Sequence, residues 1–131
     1  MRKLPRIAYH IVPRYVYEKS INRLGNYNCR GFENSKFMHA TSDLKELKKV
    51  ADLLFTRTVK KDERLNKRNE FSGMFYEKPD VEFLLLRIEL KKVKSRVGFI
   101  PPAFCHFYKS IPKNAFKVVK VKRDKLGRFL F

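Results

Sequence analysis

Val81-Glu82-Phe83-Leu84-Leu85-Leu86-Arg87-Ile88-Glu89-Leu90 is the stretch whose reading decides the fold. Its apolar run is too short for a buried helix but suits a central strand that is apolar on both faces. Such a strand needs partners along its edges and cover on its faces. Upstream, Arg6 to Val12 alternates, with Ile7, Tyr9 and Ile11 on one face and Ala8, His10 and Val12 on the other, which is the period of a strand. Phe37-Met38-His39-Ala40 reads as a short apolar strand. Downstream, Gly98 and Pro101-Pro102 break the chain before an apolar segment from Phe104 to Tyr108. A strand from Phe116 to Lys122 follows, and Asp124-Lys125-Leu126-Gly127 predicts a hairpin turn into Arg128 to Phe131.

Two segments have helical spacing. Pro13 suits a first turn, and Tyr17, Ile21 and Leu24 recur on one face before Gly25, predicting a helix from about Pro13 to Leu24. Thr41, Ser42 and Asp43 are N-cap types, with Glu46 three residues after Asp43. Leu44, Leu47, Val50, Ala51 and Leu54 then mark one face of a helix from Asp43 to Leu54. The expected fold is α+β: one domain over 1–131 with a mainly antiparallel sheet and two helices. Asn26 to Lys36 reads as a loop, and about 56–78 as an inserted basic loop.

The charge points to a partner. Lys and Arg total 31 against 13 Asp and Glu, a formal +18, whereas solubility asks for only about 2 to 8 on a small domain. Seven basic residues and one acidic residue lie between Arg2 and Arg30, and the same numbers recur between Lys113 and Arg128, so the charge belongs to the domain. A polyanion, RNA or the ribosome first, is the expected partner. The predicted nucleic-acid contacts are Arg14, Lys109, Lys113, Lys117, Lys120, Lys122 and Arg123, which lie among aromatic residues. No zinc-finger, homeodomain or RNP-type signature supports base-specific readout. A basic amphipathic membrane helix has no candidate, since the Asp43–Leu54 segment carries both signs of charge. Without a signal-peptide pattern or an apolar run of bilayer length, a cytoplasmic location is expected, with Cys29 and Cys105 as free thiols.

The three histidines each fall in a separate predicted strand: Tyr9-His10-Ile11, Met38-His39-Ala40 and Cys105-His106-Phe107. That repeated setting predicts a shared cleft with His10, His39 and His106 as its candidate catalytic residues. They lack metal-ligand spacing, so no metal is expected. Cys105 and His106, adjacent on a strand, point to opposite faces and cannot form a nucleophile–base pair.

Tyr9-His10-Ile11-Val12-Pro13, Phe37-Met38-His39-Ala40-Thr41-Ser42 and Phe104-Cys105-His106-Phe107-Tyr108 together resemble the small proteins called domain of unknown function 952. The resemblance runs from roughly Arg6 to Val121. It implies an ADP-ribosyltransferase-like fold, a bent and split sheet whose cleft takes NAD or ADP-ribose. By that likeness His10 would meet a ribose hydroxyl, Tyr9 or Tyr108 would stack on a ring, and His39 and Thr41 would line the opposite wall. The chain departs from the pattern at Ala40-Thr41-Ser42, Cys105 and Lys109, and no glutamate lies between Lys94 and Ala103 to serve as the family's acidic residue. Two functions therefore stand as expectations: a nucleic-acid-binding protein, or a nucleotide-dependent transferase or RNA-phosphate-processing enzyme.

Overall fold

The computed structural model describes residues 4–28, 38–55 and 78–131. Nearly all of the expected insertion at 56–78 lies outside them, as do Cys29 and Phe37. Seven strands form the sheet: β1 (Ile7–Pro13), β2 (Met38–Thr41), β3 (Phe83–Glu89), β4 (Val97–Ile100), β5 (Phe104–Phe107), β6 (Phe116–Arg123) and β7 (Phe129–Leu130). Their order is β4-β5-β2-β1-β3-β6-β7, and every neighbouring pair is antiparallel. Among the described residues two α-helices accompany them, α1 (Arg14–Ser20) and α2 (Leu44–Phe55). The α+β class with an antiparallel sheet is thus the observed one. Among the described residues no helix is long and apolar enough to cross a membrane.

Phe83, Leu84, Leu85 and Leu86 are all buried, so β3 is covered on both faces as its sequence requires. One face carries Ile11, Phe83 and Leu85 beneath Leu47, Ala51 and Phe55 of α2. The other carries Ala8, Val12, Leu84, Leu86 and Ile88, covered by Val16 of α1, Tyr27 and Ile111. Tyr27 pairs in isolated bridges with Ile21 and Ile111, tying the turn after α1 to the segment between β5 and β6.

Three sequence expectations need correction. The first helix stops at Ser20 because Ile21 turns extended and bridges to Tyr27, while the Asn22 side chain accepts the Leu24 and Asn26 N–H groups in a competing turn. Leu24 is consequently 75% exposed instead of lying on an apolar face. Gly98 does not break the chain: it sits inside β4, and the chain turns afterwards at Pro101-Pro102. At the start of α2 the Asp43 carboxylate accepts the Lys45 N–H, but Glu46 pairs forward with Lys49 and does not close a capping box.

Arg123 ties the C-terminal hairpin to the rest of the fold, together with Asp124 within the turn and Asp52, which accepts the Phe129 N–H. Arg123 donates to the carbonyls of Gly127, Lys78 and Phe55 at 2.9, 2.6 and 3.1 Å, so it closes the β6–β7 turn and satisfies the end of α2. Its guanidinium also lies over Phe83 and Phe129, at 4.7 and 5.0 Å from the ring centres. Arg123→Lys keeps the charge but loses the fork that reaches four carbonyls, Val81 being the fourth at 3.3 Å. We expect a destabilisation of about 2–3 kcal/mol in urea unfolding, the order of a lost charged hydrogen bond with its neighbours left unpaired.

Candidate functional site

Strand alternation sorts the candidate residues into two groups. Tyr9 stands opposite Thr41, and His39 stands opposite His106. Tyr9, Thr41, His39 and His106 therefore share the face that α2 covers in part, while His10 points to the opposite face with Ala8 and Val12. The expected meeting of three histidines in one cleft does not occur. Two of them come together, and the third lies across the sheet.

His10 is 3% exposed and bonded at both ring nitrogens. Nδ1 lies 2.6 Å from the His39 carbonyl oxygen, and Nε2 lies 2.9 Å from the Tyr27 hydroxyl. A carbonyl only accepts, so Nδ1 carries a proton; in the neutral ring Nε2 accepts from Tyr27. Tyr27 is fully buried, with His10 edge-on at 5.4 Å and Tyr17 stacked at 5.5 Å. A ribose hydroxyl could reach a ring nitrogen of His10 only by displacing one of these bonds. The geometry makes His10 a positioning residue that holds β1 against β2.

That hold matters because, among the described residues, the two strands pair in register at Tyr9↔Thr41 alone, whereas the β1–β3 ladder runs from Ile7↔Glu89 to Pro13↔Phe83. The sheet is thereby two halves, β4-β5-β2 and β1-β3-β6-β7, with a narrow join.

On the other face the His39 and His106 rings meet edge to face, 5.4 Å between centres, both half-buried. Gly98 pairs with His106, and a Cβ there would lie 3.1 Å from the Tyr108 hydroxyl oxygen. Glycine thus lets the Tyr108 ring lie beside His106. The Arg96 guanidinium sits 5.5 Å from the Tyr108 ring centre. Thr41 is buried, its Oγ1 accepting the Asp43 N–H at 3.2 Å. An open hollow of about 470 Å³ adjoins Tyr9, lined also by Ser42, Asp43, Leu44, Glu46, Pro102 and Ala103. Among the described residues no group of three or more His, Cys, Asp or Glu could hold a metal ion.

The expected nucleic-acid residues also divide. Arg123 is engaged in the hairpin described above and is no phosphate contact. Arg14 lies 2.9 Å from both Glu18 and Glu82, which offset its charge; the guanidinium in turn holds the Glu82 carboxyl below its ordinary value. Lys120 also approaches Glu82, at 3.8 Å. Lys109, Lys113, Lys117 and Lys122 are exposed, and no carboxylate of the described residues forms an ion pair with them. Lys109 borders a hollow with Lys94 and Ser110, at the far side of the sheet from Lys117.

Sequence reasoning missed Arg87. Tyr9 pairs with Arg87 and Arg87 with Lys117, so the three side chains stand in a row across β1, β3 and β6 on the α2 face. Arg87 and Lys117 are both exposed. The signal was present: Arg87 is the one charge between the buried Leu86 and Ile88.

Two measurements follow. Tyr27→Phe removes the hydroxyl bonded to His10 Nε2 in the core and should cost about 1–3 kcal/mol in urea unfolding, with faster amide exchange at Thr41 than in β3. Burial pushes the Cys105 thiol from an ordinary 9.0 up to about 11. Between those values the unfolded chain loses the proton while the native one keeps it, so stability should fall as pH rises through 9 to 11. In a Cys29→Ser background, iodoacetamide at about pH 8 should label Cys105 only after denaturation.

No protein-family model and no curated protein matches the chain. Among solved structures it is similar to protein CC0527 from Caulobacter crescentus and to a double mutant of that protein. Each match has a TM-score of 0.58 and 15% sequence identity, covering 95% of this chain and 93% of the other. At that identity the likeness is one of fold.

Proposed function

We propose that this chain binds RNA through the row of Tyr9, Arg87 and Lys117, on a scaffold of the ADP-ribosyltransferase-like kind. The narrow join between two half-sheets supports the scaffold reading. The row itself carries the functional one. Like charges directly opposite each other on neighbouring strands destabilise a sheet, yet Arg87 and Lys117 are placed so, side by side and exposed. Glu89, two residues along the same face, is paired with Lys92 at 3.2 Å and shares its single charge among Lys92, Arg87 and Lys117, so the row keeps a net positive charge. A phosphate backbone does, and Tyr9 at the end of the row offers a ring for a base. The overall charge of +18 steers any polyanion toward the domain.

A second reading, a pocket for NAD or ADP-ribose, is favoured by one observation. Tyr9, Thr41, His39, His106 and Tyr108 lie on a single face of the sheet.

The test is RNA binding at several salt concentrations with NAD and ADP-ribose as competitors. For single-stranded RNA each lost phosphate contact lowers the slope of log affinity against log salt by about 0.7. Arg87→Gln with Lys117→Gln should lower it by about 1.4, while Arg14→Gln, already offset by two glutamates, should change it far less. Affinity that ignores Arg87 and Lys117, or is abolished by equimolar ADP-ribose, would overturn the RNA reading in favour of the nucleotide pocket.

A further inference from the structure

The imidazoles of His39 and His106 stand face to edge on the sheet surface that also carries Tyr9, Arg87 and Lys117. Their positions are fixed rather than incidental. They are direct register partners on β2 and β5, and Met38, Ala40, Cys105 and Phe107, their strand neighbours, are buried on the reverse side. His39 is additionally anchored through its own carbonyl, which accepts from His10. His39 also lies two residues from Thr41, the register partner of Tyr9. The Tyr108 ring lies beside Gly98, the register partner of His106, and the Arg96 guanidinium lies over that ring.

We propose that His39 and His106 are a general acid and base for cleavage of RNA at a phosphodiester next to a ribose 2′-hydroxyl. The proposal rests on the RNA reading above. Imidazole is the side chain that exchanges a proton near neutral pH, and two of them side by side beneath one phosphate divide the work. One neutral ring takes the proton of the 2′-hydroxyl as its oxygen bonds to phosphorus. The bond from phosphorus to the 5′-oxygen breaks, and the other ring, as imidazolium, gives that oxygen its proton. The products are a 2′,3′-cyclic phosphate and a 5′-hydroxyl. Nothing is oxidised or reduced, and no metal or co-reactant enters. Arg96, held over the Tyr108 ring, is the cation assigned to the pentacovalent phosphorane. This substrate class requires the 2′-hydroxyl, so DNA would be bound but not cut.

The experiment incubates the full chain with a labelled RNA oligonucleotide, a copy carrying 2′-deoxyribose throughout, and, in parallel, the His39→Gln and His106→Gln variants purified identically. The expected result is cleavage of the RNA alone, with cyclic-phosphate ends and a bell-shaped pH–rate profile. Each variant should lose about 100-fold or more in rate while still binding RNA through Arg87 and Lys117 and unfolding at the same urea concentration. Cleavage that survives in both variants would assign the activity elsewhere and overturn the proposal. RNA bound tightly but left intact by the parent chain would overturn it as well, leaving the binding function standing. If RNA is neither bound nor cut, both readings fall together. Should a variant prove unstable, His39→Asn and His106→Asn, shorter at the same positions, repeat the test.

Discussion

The hydrogen bond from His10 Nδ1 to the His39 carbonyl is the contact on which the arrangement of the two half-sheets depends. The β1–β3 and β3–β6 ladders share their load over many backbone bonds, but among the described residues β1 and β2 are in register at Tyr9↔Thr41 alone. At such a join a side chain does what the backbone ladder does elsewhere. His10 can serve because Tyr27 occupies its second nitrogen in a fully buried position, so no polar atom of the ring is left unsatisfied. Tyr27 is in turn fixed by backbone exchange with Ile111: its N–H donates to the Ile111 carbonyl and the Ile111 N–H returns the bond. The join is therefore braced by a segment that crosses from β5 to β6, and a change in that crossing is felt at the histidine.

Much of this was legible in the sequence where periodicity and burial agree. Phe83 to Leu86 announced an interior strand because four consecutive apolar side chains can be buried only between two covered faces. The helix at Leu44–Phe55 followed from its spacing and from Asp43 before it. Legibility failed where the deciding interaction is nonlocal. β4 was hidden because Val97, Gly98 and Phe99 are only half-buried and the glycine reads as a breaker; its pairing with β5 supplies what its own composition does not. The three histidines looked equivalent because each sits in an apolar strand. Which face a strand presents depends on register with its neighbours, and register is not written in a single strand.

Charge shows the same division between what composition tells and what only packing tells. Arg123 and Lys122 are adjacent and alike in sequence, yet one is committed to the carbonyls of Phe55, Lys78 and Gly127 while the other faces solvent. Arg14 has its charge offset by two carboxylates, one of them 68 residues away in Glu82. Arg87, by contrast, looks like an interruption in a core strand and turns out to stand between Tyr9 and Lys117. A net +18 establishes that some polyanion would be attracted; the fold decides which cations are left to meet it.

The two faces of the sheet thus differ in what they can do. The face bearing His10 is packed with Val16, Tyr27, Ile111 and Ala115 and has little to offer a ligand. On the other face α2 packs over Ile11, Phe83 and Leu85, to one side of the His39–His106 pair, which stays half-buried. The faces are nevertheless joined through one residue, since the carbonyl that His10 holds belongs to His39 itself. A substitution at Tyr27, on the far side of the sheet and touching no candidate ligand, acts on the imidazole pair through that carbonyl. The site and the join between the half-sheets are for this reason coupled, and a protein that loosened the one would misplace the other.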